Sequence, residues 1–203
     1  QGQEEKKPGK GAGRRYWLTD VADSNGTPQI VAVTLADMGN NAAAVRATTM
    51  LSHYPTVQSI IMCGIAGGVP HPNKVEEHVR LGDIIISNKK GIVQYDFDKE
   101  SRKFTEIRAM PVPASAELVE AARYLRVNEM LGQRPWEDVI LKALQKLNWQ
   151  RPPQETDLLH SSEQPDQVIR HPQDSKRLQD QPKIFLGAIG SANKLLKNPQ
   201  KQI

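Results

Sequence analysis

The stretch Val57–Gly68, VQSIIMCGIAGG, constrains the fold of this 203-residue chain more than any other. Its apolar residues run on without alternation and stop at glycines, which is how a strand covered on both faces reads. Such strands belong to parallel sheets flanked by helices. The run therefore predicts a buried, central parallel strand, with Cys63 inside it as a small buried thiol.

The flanking sequence supports an α/β chain. Tyr16–Val21 and Pro28–Ala36 read as strands joined by ADSNGT, whose Asn25-Gly26 pair is a strong hairpin signal. GNNAAAVRATTMLSHYP predicts a helix that opens on a capping Asn and ends before Pro55, with Ala43, Ala47, Met50 and Leu51 on one face. Asp83–Ser87 and Gly91–Phe97 read as two strands around the turn formers Asn88 to Lys90. Ser115–Leu131 and Pro135–Asn148 read as helices, the second with Pro at its first position and acids in its first turn. Residues 150–182 hold five prolines and little apolar content, and predict a long surface excursion. KIFLGAIGSANKLLKNP then reads as strand, glycine turn and helix start. Ligands of such sheets bind outside the carboxyl ends of the strands, which selects the GIAGG and GAIGS turns.

The net charge of +4 lies at the ends of the chain. The first fifteen residues carry five basic against two acidic side chains and predict a disordered basic tail, 1–15. From Lys176 onward there are six basic residues against Asp180, so the body between is net acidic by four. No basic stripe interleaved with aromatics results, which argues against nucleic-acid binding. A single cysteine excludes an internal disulfide and a multi-cysteine metal site. No apolar run reaches the about 20 residues of a membrane span, and no signal-peptide core is present, so the expectation is a cytoplasmic protein without membrane partners. Length favours one domain over residues 16–203.

Four segments in order, Ala36–Ala44 (ADMGNNAAA), Ile60–Val69 (IIMCGIAGGV), Leu81–Ser87 (LGDIIIS) and Gly187–Leu196 (GAIGSANKLL), resemble the nucleoside phosphorylase and nucleosidase superfamily. The nearest branch is similar to methylthioadenosine/S-adenosylhomocysteine nucleosidase, including versions in bacterial signalling and defence proteins. The resemblance spans about residues 28–100 and 183–203. It implies a mixed, twisted central sheet flanked by helices and cleavage of the N-glycosidic bond of a purine nucleoside or nucleotide, with no cofactor or metal. It is compatible with a homo-oligomer or a fusion to signalling domains.

Carried over by position, Ile65, Ala66 and Gly67 form the wall against the ribose, where bulk is excluded. Tyr95 or Phe97, in QYDFD, stacks on sugar or base. Ser191 and Asn193 line the second turn, and Leu195 and Leu196 present backbone groups to the base. Phosphorylases of this superfamily hold phosphate with an arginine and a serine where this sequence has Met62 and Ile65. Without them a phosphate dianion is poorly compensated, so water is the expected nucleophile. The resemblance leaves two alternatives open, a phosphorylase and a nucleotide-sensing module without turnover. The family's acid–base residues have no counterpart in the sequence, which is therefore expected to be part of a longer chain.

Other polar residues have plainer readings. His71, His78, His160 and His171 share no metal-ligand spacing and read as surface-loop histidines. Glu76 and Glu77 read as a solvated loop, Asp83 as a turn cap at a strand entrance, Asp96 and Asp98 as exposed strand-end acids, and Lys89, Lys90 and Lys194 as solvated.

Overall fold

The structure, a computed structural model, describes residues 3–7, 14–23, 25–100, 105–108, 111–161, 163–164 and 166–193. The chain divides into two compact units, residues 1–64 and 65–203.

The first unit is a three-stranded antiparallel sheet with one helix. Strands β1 (Gln3–Lys7), β2 (Arg14–Ala22) and β3 (Pro28–Val33) lie in that order. The expected hairpin joins β2 to β3: Asp23 accepts from the backbone N–H groups of Asn25 and Thr27 at 2.8 and 2.9 Å, and Gly26 takes φ +78°. Strand β1 replaces the disorder expected for the opening residues, since Gln3–Lys7 pair with Arg14–Leu18 in a full ladder and the Glu4 carboxylate reaches Arg15 diagonally at 3.4 Å. Helix α1 (Asn40–His53) follows. Its cap is Gly39 at φ +108°, with no side-chain hydrogen bond, so the expected Asn cap is not formed. Tyr16, fully buried, holds this unit together: its hydroxyl meets His53 Nδ1 at 2.8 Å, and its ring lies edge-on to Tyr54, whose hydroxyl donates to Glu5 at 2.5 Å.

The largest departure from the sequence reading is the run Val57–Gly68. Residues 58–70 form no strand, Ile60, Ile61 and Met62 are exposed, and Ile65 is fully so. Cys63 is likewise exposed rather than buried. The reading needs neighbouring strands on both edges, and no described strand pairs with this segment.

The second unit is built on a parallel pair. β4 (Ile84–Gln94) lies beside β9 (Ile184–Ser191), with Ile84 opposite Ile184 and Gln94 opposite Ser191. The two strands expected over 83–97 are thus one. Asn88–Lys90 make a bulge in it, because Asn88 accepts from the Lys90 N–H at 2.8 Å while β9 carries the ladder across on both sides. Gly91, at φ +69°, lets the backbone approach Val112, with which Ile92 exchanges two hydrogen bonds. GAIGS likewise continues β9 where a turn is expected.

Helix α2 (Ala116–Met130) packs on this pair through Val119 and Ala122. Arg126 donates to the Ile184 carbonyl at 2.8 Å and pairs with Glu129. Helix α3 (Pro135–Leu147) starts at the expected proline and stops where Asn148 turns left-handed, φ 51°. Two short antiparallel pairs complete the unit: β5 (Asp98–Glu100) with β6 (Thr105–Ile107), and β7 (Leu159–His160) with β8 (Val168–Ile169). The fold is α/β with mixed pairing, its described strands distributed over four sheets.

Candidate functional site

Parallel pairing sends the carboxyl ends of β4 and β9 out of the same edge, where open α/β sheets place ligands. Sequence and register together fix what meets there. One residue beyond β4, the Tyr95 N–H donates to the Ser191 carbonyl at 3.0 Å. The Tyr95 ring then lies over Gly190, so closely that a Cβ on residue 190 would stand 3.3 Å from ring atom Cδ1. Asp96 closes the edge: one carboxylate oxygen accepts from the Asn193 N–H at 2.7 Å and the other from the Gln94 side chain at 3.0 Å.

Tyr95, Ser191 and Asn193, which are far apart in sequence, therefore share one strand edge. Phe97 lies two residues along, its ring exposed and its carbonyl bonded to the Arg108 N–H. An aromatic surface beside a hydroxyl, an amide and a carboxylate suits a flat heterocycle with polar edges. Ile65, Ala66 and Gly67 lie elsewhere, on the exposed segment described above, and a Cβ on Gly67 would meet nothing within 4 Å. Leu195, Leu196 and Lys194 lie outside the described residues.

Sequence reasoning missed the part played by Asp96, read as an exposed acid but half-buried and bonded across the two strands. A carboxylate one residue from an aromatic at a strand end was the available signal.

The opposite end of β4 carries a second polar assembly. Asp83, with 2% of its side chain exposed, caps its own turn by accepting from the Arg80 N–H at 2.8 Å, as expected for a strand entrance. It also takes both Nη atoms of Arg177 at 2.7 and 2.8 Å and the Lys183 N–H at 2.9 Å. Burial alone would lower the Arg177 pKa, but hydrogen bonding and charge from Asp83 outweigh it and the net shift is upward. Lys183 pairs in turn with Asp174 at 2.6 Å. Burial of Asp174 opposes ionisation, yet the bonds from Lys183 and the Lys176 N–H hold its pKa below the usual 3.8.

Arg80 Nε meets Asp157 at 2.5 Å, and His78 meets His171 at 2.9 Å. His78 is 3% exposed, so the surface-loop reading is corrected for this pair: the excursion folds back over His78 and removes it from water. Among the described residues no group of three or more His, Cys, Asp or Glu side chains is placed to hold a metal ion, and no helix is long and apolar enough to cross a membrane.

A family model described as the phosphorylase superfamily matches residues 2–152, nearly three quarters of the chain. That span takes in the first three segments of the resemblance and QYDFD, and ends before β9. No curated protein and no solved structure matches.

Proposed function

Since this chain belongs to the phosphorylase superfamily, whose members process nucleosides, we propose that it serves a purine nucleosidase. The bond hydrolysed is the N-glycosidic bond of an adenosine-type nucleoside or nucleotide. The observation that carries this reading is the convergence of Tyr95, Asp96, Ser191 and Asn193 at the carboxyl ends of β4 and β9. Tyr95 and Phe97 offer faces for a purine, and Ser191 and Asn193 lie at the same edge.

Water is the preferred nucleophile because Met62 and Ile65 stand where phosphorylases of the superfamily carry an arginine and a serine. Hydrolysis through an oxocarbenium-like transition state also requires an acid to protonate the leaving base. None of the residues at this edge is assigned that part.

The test is incubation of the full-length protein with adenosine, methylthioadenosine, inosine and ATP, with and without phosphate, followed by chromatography of free base. Adenine released without phosphate is the expected result. Release only with phosphate makes the protein a phosphorylase. No release, with intact nucleoside bound in calorimetry, makes it a sensing module.

A further inference from the structure

We propose that His78 and His171 form a proton-sensitive latch, which holds the excursion of residues 150–182 against the entrance of β4 at neutral pH and releases it on acidification. This latch is independent of the nucleoside reading, since it lies by the entrance of β4, and the seven β9 steps from Ile184 to Ser191, at about 3.3 Å each, put the two ends of the strand pair about 23 Å apart.

The hydrogen bonds fix the protons. His171 Nε2 faces only acceptors, the Asp157 carbonyl at 2.9 Å and the Asp157 carboxylate at 3.6 Å, so it carries hydrogen. In the neutral ring Nδ1 is then an acceptor. His78 Nε2, 2.9 Å away, must be the donor to it. That leaves His78 Nδ1 as a bare lone pair, buried and without a partner among the described residues.

A further proton on His78 Nδ1 would create a buried cation with no acceptor among the described residues. Burial, His171, Arg177 and Arg80 all oppose the charged form of His78, only Asp157 favours it, and its pKa lies below 6.5. Asp83 gives little relief, because Arg177 occupies it.

His171 lines a cleft of about 370 Å³ with Arg80, Asp157, Leu159, Ile169 and Arg170. The open form binds a proton near the ordinary histidine value, and the closed form only at lower pH. The latch is therefore complete above about pH 6.5 and weakens as pH falls below it. One proton taken up on opening raises the opening constant about tenfold per pH unit through that window.

The test is hydrogen exchange by mass spectrometry on the whole chain from pH 8 to 5, corrected for intrinsic rates, with peptides of α2 as internal reference. Peptides from 154–180 are expected to gain exchange, by up to about tenfold per unit, as pH falls below 6.5 while α2 does not, and His171→Asn to lose that step. Protection that stays level with pH, a step that α2 shares, or a step that survives in His171→Asn overturns the latch. Should the variant not fold, nitrogen NMR of the wild-type imidazoles decides. An Nε2–H tautomer of His78 that resists protonation below pH 6.5 supports the latch, and a His78 ring that titrates at the ordinary value overturns it.

Discussion

Removing the charge of Asp83 tests whether the excursion is held by a desolvated ion pair. The carboxylate accepts four hydrogen bonds, two from Arg177 and one each from the Arg80 and Lys183 N–H groups, and both side chains are largely withdrawn from water, Arg177 to 13% exposure. In Asp83→Asn the amide NH2 must face a donor, and Arg177 is left buried without an anion. Breaking a buried pair from one side costs about 3–5 kcal/mol. With a urea m-value of about 1–3 kcal/mol/M, a loss of about 3 kcal/mol lowers the midpoint by roughly 1–3 M. Tryptophan fluorescence in a Trp17→Phe background reads the second unit, through Trp136 and Trp149. Arg177→Met is expected to cost a similar amount, and the double variant clearly less than the sum. Asp83→Asn within about 0.5 kcal/mol of wild type, or two additive single losses, would refute the reasoning.

Other perturbations have distinct signatures. A Cβ on Gly91 would stand 1.8 Å from the Val112 carbonyl oxygen at a left-handed φ, so Gly91→Ala should cost 3 kcal/mol or more on the order expected for such a clash, whereas Gly67→Ala should stay within about 0.5 kcal/mol in the same melts. Tyr16→Phe removes the hydroxyl bound to His53 and is expected to cost about 1–1.5 kcal/mol, read by thermal unfolding. Asp96→Ala removes the carboxylate that accepts from the Asn193 N–H; faster exchange at that amide together with weaker adenosine binding in calorimetry is the expected pair of results, and unchanged exchange contradicts the assignment. The folded Asp174 carboxyl titrates below 3.8, so its stabilisation is complete above that value and lost as pH falls through the lower folded value. Asp174→Asn should accordingly lower stability at pH 7 and converge with wild type in strong acid.

Local signals carried over well. The Asn-Gly hairpin and the proline that opens α3 each act within a few residues, and each element formed where its signal lies. Parallel partners are separated by a hundred residues, so the pairing of β4 with β9 is absent from either strand's own pattern. The glycines of GAIGS read as a turn because φ freedom and close packing call for the same residue; here Gly190 makes room for the Tyr95 ring. The run 57–68 has the composition of a covered strand, but composition does not supply the cover. The resemblance names Tyr95, Ser191 and Asn193 together, and the structure sets the three at one strand edge. The clasp of Asp83, Asp157 and Asp174 on Arg177, Arg80 and Lys183 was not legible, since ion pairing leaves no periodicity.

The spacing of β4 and β9 also sets an order of events during synthesis. A ribosome adding about 5–20 residues per second delivers Ile184 roughly 5–20 s after Ile84. Through that interval the Ile84–Ile86 edge has neither its parallel neighbour nor the Arg126 anchor, which itself needs the Ile184 carbonyl. The nascent chain thus carries an unpaired apolar strand for seconds, long against the microseconds of helix formation. The helices over 116–130 and 135–147 can form meanwhile, and β9 pairs with β4 only afterwards, the stage at which a chaperone would have most to hold.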